Sequence, residues 1–349
     1  MPVPSHEHQL TFLNKLQRLF SEGDFTATYK FALLIALSDL AVEADISGDD
    51  DVTVSIRQIA ERFIGLYWSH VLPYSTGAAG AQPDILVQNN GVQAKVVTAI
   101  ARFRATGRPS SLEQALTSPA YPDLVRDIAR TVSAQPLTYL QNFGGGTDAL
   151  IYERLPPGMI RLKPGVAYCM RRFHGLIQQM ARAGWIAHIK ANQRNHTILG
   201  RSDDLEDFLF ATSRQSLIRV GEGLRRLEGP ACFYCAAPIA AEPDVDHFVP
   251  FGLYARDLAH NFVLAHPSCN RSKSDTLAAR PHLEKWLTRL ERRADDIADI
   301  GSRSGVIVDP ACARKVARWC YDNAIQAGAS AWLKPGAYVP VDTAYAECF

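Results

Sequence analysis

Two short stretches constrain this chain more than anything else in it. "CFYC" sets Cys232 and Cys235 two residues apart, and "HPSC" repeats the spacing with His266 and Cys269. Together they offer three thiols and one imidazole, a Cys3His set of the kind that binds structural Zn2+ in a tetrahedron. The 30 residues between the two pairs exceed the span of a plain zinc ribbon, so folded structure must lie between them. "DVDHFVPF" and "NFVLAH" are β-rich, and Pro267 suits the first position of a helix that "SCNRSKSDTLAA" can continue. The expected unit is two strands and a helix. A unit so small could hardly fold on apolar burial alone, and a structural zinc can supply on the order of 10 kcal/mol.

The seven cysteines are an odd number, and only Cys232, Cys235 and Cys269 fall into a pattern; Cys169, Cys312, Cys320 and Cys348 are scattered. That argues for a metal site in a reducing compartment over a disulfide framework. The start, "MPVPSHEHQLTF", lacks the basic and apolar regions of a signal peptide, and "FALLIAL" is bounded by Lys30 and Asp39, too short to span a bilayer. The expectation is a cytoplasmic protein without membrane contact.

At 349 residues the chain exceeds the usual single-domain range. Residues 1–72 read as helices; in "IRQIAERFIGLYWSHV" the apolar residues Ile56, Ile59, Ala60, Phe63, Ile64, Tyr67 and Val71 form one stripe. The Gly- and Ala-rich "PYSTGAAGAQPD" (73–84) reads as a linker. Residues 84–229 read as a second helical region, with Ser110 or Ser111 capping a helix and Glu113 completing a capping box. A small hairpin is expected around "NFGGGTDALIYERLPPGMIRLKPG". No G-K-[ST] follows the three glycines, which speaks against a phosphate loop. A helix ending at Gly184 and a short strand after it are expected next. Residues 230–280 form the zinc-bearing unit, and residues 281–349 read as C-terminal helices and a tail. The fold class is thus mainly α and multidomain.

Charge is uneven along the chain. Residues 101–200 carry 13 Lys or Arg against 5 Asp or Glu, whereas residues 1–100 carry 6 against 11. Arginines interleaved with apolar residues, as in "RFRATGRP" and "CMRRFHGL", suit a phosphate backbone or simply a solvated helical surface.

The ordered set Cys232-x2-Cys235, Asp246-His247, Pro250, Asn261, His266-x2-Cys269, Asn270 and Lys273 resembles the HNH endonucleases, with their ββα-metal fold. The resemblance covers roughly residues 230–280. His266 departs from it, standing where zinc-bearing members usually have a cysteine. Asn270 stands in the last position of the family's name, as in the known asparagine variant. The resemblance implies that His247 is the general base and that Asp246 and the Asn270 carbonyl hold Mg2+ or Mn2+. It further implies that Asn261 braces the loop carrying the histidine, and that cleavage leaves 5′-phosphate and 3′-hydroxyl ends. The residue types agree, because carboxylate and amide oxygens suit hard cations and histidine changes charge near neutrality. On a helix Lys273 shares a face with Asn270, Ser274 and Leu277, and is expected to meet a phosphate oxygen. His260 is a rival for a ligand or auxiliary-base role. One difficulty is geometric. Adjacent strand residues point to opposite faces, so Asp246 and His247 address one phosphate only where the strand ends or bulges.

The expected function is a metal-dependent DNA endonuclease or nickase acting on double-stranded DNA, with host defence and protein partners of a defence system suggested by analogy. The alternatives are a zinc-stapled nucleic-acid-binding module without catalysis and a partner-activated toxin nuclease.

Overall fold

The structure is a computed structural model that describes residues 4–44, 52–75, 83–109, 111–199, 205–211 and 214–349. It is mainly helical with a few small sheets, and it divides into two compact units. One comprises Met1–Pro109 and Thr117–Ala211, the other Ser110–Leu116 and Thr212–Phe349.

In the first unit the helix Tyr29–Glu43 is buried on nearly every side, as its uniformly apolar "FALLIAL" core requires. It packs on the helices Ile56–Tyr67, Val166–Arg172 and His174–Ala191. All seven expected stripe residues of "IRQIAERFIGLYWSHV" are buried, and Ser55 with Gln58 forms a capping box at the helix start. A three-stranded antiparallel sheet runs Thr53–Ser55, Met159–Leu162, Tyr152–Leu155 in spatial order. These contacts correct the expected division at 73–84. The first helices bury their apolar faces against elements a hundred residues later, so residues 1–72 have no separate core. Residues 76–82 of that segment lie outside the described residues.

The "GGG" stretch is a hairpin turn. Gly144 and Gly145 adopt φ of +63° and +79° between Phe143 and its partner Gly146, a conformation that glycine adopts without strain. The helix His174–Ala191 runs straight through Gly184, and the residues expected to form a strand after it continue the helix. A Cβ at Gly184 would lie 2.4 Å from the Phe31 ring, so this glycine lets two helices approach. Much of the basic window is taken up locally: Arg102 and Arg130 pair with Asp127, Arg126 with Asp123, and Arg161 with Glu153. Arg104 lies over the Trp68 ring.

A buried polar chain crosses this unit. Trp185 Nε1 donates to Gln88 Oε1, Gln88 Nε2 donates to His70 Nδ1, and His70 Nε2 donates to the Leu209 carbonyl. Burial pushes the His70 imidazole down to about 4, against the hydrogen bond to the Leu209 carbonyl that favours its charged form. The unfolded chain therefore binds the extra proton first as pH falls below about 6.5, and stability is lost progressively down to about 4. The expected loss is on the order of 3 kcal/mol. Urea titrations between pH 7 and 4.5 should show it, and His70→Gln should flatten the slope.

The second unit begins with the short helix Leu112–Leu116, where Ser111 accepts from the Gln114 amide. Glu113 accepts from the Val308 amide; Ser110, whose capping box with Glu113 was expected, lies outside the described residues. The helix Arg214–Glu228 belongs to this unit and ends at Gly229, φ +79°, which places the boundary before this helix, not after it. Strand Asp244–His247 pairs antiparallel with Phe262–Ala265, and the helix Pro267–Lys273 follows. That helix stops sooner than expected because Ser274 takes φ +48°, and Leu277 does not join its face. Ala278 bridges Trp332 in the hairpin Ser330–Lys334 and Ala337–Pro340, an element the expected helices and tail did not include. The long helix Arg280–Ser304 packs on the Ala259–Asn261 turn and on Arg214–Glu228, so residues 230–280 and 281–349 share one core.

Candidate metal centre and reaction site

The two knuckles meet. The ligand atoms of Cys232, Cys235, His266 and Cys269 all lie within 4.8 Å of one another. A tetrahedral zinc with bonds of about 2.0–2.3 Å needs edges of about 3.5–3.8 Å, reachable by small side-chain rotations. His266 Nδ1 is 3.3 Å from Cys235 Sγ. Its Nε2 is 3.1 Å from the Pro238 carbonyl, which can only accept, so Nε2 carries the proton and Nδ1 is the ligand atom. The donor set fits a zinc ion. At Cys232, burial opposes ionisation, but amide N–H groups of Cys235, His266 and Tyr234 outweigh it and bring the thiol down to about 7. Burial, and then the neighbouring Cys232 and Cys235, push Cys269 up to about 12. Three clustered thiolates call for a cation to offset their repulsion.

The first knuckle closes on Ala236, which adopts φ +59°, with its amide donating to the Cys232 carbonyl. An L side chain costs about 1–2 kcal/mol in that region. Ala236→Gly is therefore expected to raise the stability of the zinc-loaded unit by roughly 0.5–1 kcal/mol after the entropy of the unfolded glycine is counted, readable as a higher melting temperature.

The strand pairing is regular through His247, which faces Phe262, so Asp246 and His247 point to opposite faces. His247 Nε2 lies 2.5 Å from Asp257 Oδ1, and its ring sits against Phe251 and Phe262 with 21% of the side chain exposed. The carboxylate fixes the proton on Nε2, which leaves Nδ1 with the lone pair and, among the described residues, without a hydrogen bond. Asn261 clamps the chain just beyond: Oδ1 accepts from the Val249 amide and Nδ2 donates to the Val249 carbonyl, both at 2.8 Å.

Asp246 lies elsewhere. Its carboxylate is buried, accepting from Tyr234 Oη at 2.5 Å and pairing with Lys273 Nζ at 3.1 Å. Asn270 Nδ2 donates to Asp244 Oδ2 at 3.0 Å. The expected cation pair of Asp246 and Asn270 is thus not formed: Asp246 is occupied by a tyrosine hydroxyl and an ammonium group, and does not fit a Mg2+ or Mn2+ ligand here. The uncommitted hard oxygens on this face are Asp244 Oδ1 and Asn270 Oδ1, neither of which is hydrogen-bonded among the described residues. Lys273 also departs from expectation. It is 1% exposed, and its ammonium donates to the carbonyls of His247 (3.0 Å) and Ser274, so no phosphate reaches it. Burial lowers its pKa, and Asp246 opposes that shift.

His260 is fully buried, with Nε2 donating to the Ala294 carbonyl, and burial lowers its pKa; it belongs to the core and not to a site. The sequence reading missed Tyr234 and Asp257. Tyr234 stands inside a recognised motif, but no spacing rule links Asp257 to His247 ten residues earlier.

Fold and site together define a mainly helical two-unit protein with a Cys3His cluster that could hold a metal ion such as zinc. Residues 9–209 match the family described as "Domain of unknown function (DUF8808)", and the chain belongs to that family. The matched residues end before the metal centre begins. No curated protein and no solved structure matches the chain. Among the described residues, no helix is long and apolar enough to cross a membrane.

Proposed function

We propose that the second unit is an HNH-type nuclease module and that the protein hydrolyses phosphodiester bonds in DNA. The observation that carries this reading is the His247 arrangement: one ring nitrogen held by Asp257, the other free, at the end of a strand whose continuation Asn261 clamps. A module that only bound nucleic acid would have no use for a partly exposed histidine oriented by a carboxylate. The zinc-ready knuckles and the strand-strand-helix order support the same reading.

In this mechanism His247 Nδ1 takes a proton from water as the water oxygen attacks phosphorus, the P–O3′ bond breaks with the departing O3′ taking a proton from solvent, and Asp257 stabilises the imidazolium that forms. Asn261 keeps the backbone at Val249 in one conformation, so the imidazole meets its substrate already oriented. Zinc, when bound by Cys232, Cys235, His266 and Cys269, supplies a structural staple. Mg2+ or Mn2+ is expected as an added cofactor, in keeping with the charge of the phosphodiester.

The test is cleavage by purified zinc-loaded protein with Mg2+ or Mn2+ on plasmid DNA, unmodified and methylated, and on single-stranded DNA and RNA. Nicked or linear plasmid is the expected product. Binding without cleavage of any substrate would favour the zinc-stapled binding module.

A further inference from the structure

The first knuckle and the strand that carries His247 are joined by side chains. Tyr234 stands between Cys232 and Cys235, so the metal that fixes those cysteines also fixes its backbone. Its ring is buried against His282 and Trp332, at centroid distances of 5.4 and 5.2 Å, which leaves its hydroxyl one direction to point. That hydroxyl donates to Asp246 Oδ2, Asp246 pairs with Lys273, and Lys273 Nζ donates to the carbonyl of His247 itself. Trp332 Nε1 donates to Ser272 Oγ, which holds the end of the Lys273 helix from outside. Tyr234, Asp246, Lys273 and Trp332 are buried and engaged, and such closed networks have few alternative arrangements.

We propose that Tyr234, Asp246 and Lys273 form a relay through which the metal knuckle sets the position of His247, and that Asp246 serves as its central link and not as a cation ligand. All three are positioning residues. The relay's effect on cleavage rests on the nuclease reading; its effect on the His247 ring does not.

The test uses the full zinc-loaded chain labelled with 15N-histidine, with the His247 ring signals assigned by their loss in His247→Gln. Tyr234→Phe removes only the hydroxyl. The relay predicts that this variant keeps its zinc by elemental analysis while the His247 ring signals shift and those of His174, in the other unit, stay in place. It also predicts that kcat for plasmid cleavage falls roughly 10-fold or more with KM little changed, the scale on which groups behind a metal site act. Unchanged His247 signals with zinc retained would overturn the proposal. If Tyr234→Phe fails to fold, Cd2+ replaces Zn2+ in the unmutated chain: a larger cation displaces the knuckle, so the relay predicts moved His247 signals, and identical spectra overturn it. Moved signals in a protein that cleaves nothing would support the relay and reject the nuclease reading.

Discussion

His266→Ala is expected to lose zinc and to unfold the strands between the two knuckles and the short helix that starts within the second. His266 supplies the fourth ligand, and with three thiols left the site cannot close its tetrahedron. The ligand atoms already lie within 4.8 Å of one another, so the protein has brought them together at the expense of thiolate repulsion that the cation relieves. Metal binding and folding are then one process, and its loss removes a contribution on the order of 10 kcal/mol. Elemental analysis should find the variant without zinc. Amide hydrogen exchange should show the Asp244–His247 and Phe262–Ala265 strands unprotected. Full zinc occupancy in the variant would remove His266 from the ligand set. His266→Cys, which restores the more usual knuckle, should keep the metal.

His247→Ala is expected to reduce DNA cleavage by about 100-fold or more, the range in which a positioned general base acts. The substitution should leave zinc in place, because His247 points away from the face that carries Tyr234, Asp246 and Lys273. What it removes is the free Nδ1 and the imidazolium partner of Asp257. KM should change less than kcat, since the imidazole acts on water and not on the DNA backbone.

The metal centre was legible in the sequence because each knuckle is local: two ligands three residues apart need only a tight turn to converge. The partner of Asn261 is also near in sequence to the histidine: Val249 lies two residues past His247, just beyond the end of the Asp244–His247 strand. Asp246 and Lys273 were placed on the right elements with the wrong surroundings. Their burial depends on Tyr234, and Tyr234 in turn on Trp332, a residue about a hundred positions away that no local pattern connects to it. The regular strand pairing decided the rest, since it turned Asp246 and His247 to opposite faces. Gly184 was misread because glycine commonly ends a helix, whereas here it admits the Phe31 ring. The unit boundaries were misplaced because a Gly-rich stretch does not reveal whether the helices on either side share a core. Burial across long separations, such as Tyr29–Glu43 against His174–Ala191, answers that question.

We propose that His247, held by Asp257 in the unit that carries the two knuckles, makes this protein a nuclease. The most direct test is plasmid cleavage with Mg2+ or Mn2+ by the wild-type chain and His247→Ala side by side, with zinc content measured in both preparations. Nicked or linear DNA is expected from the wild type, little or none from the variant, and equal zinc in the two. Equal cleavage by both proteins, or none by a fully zinc-loaded wild type on any of the DNA or RNA substrates, would contradict it.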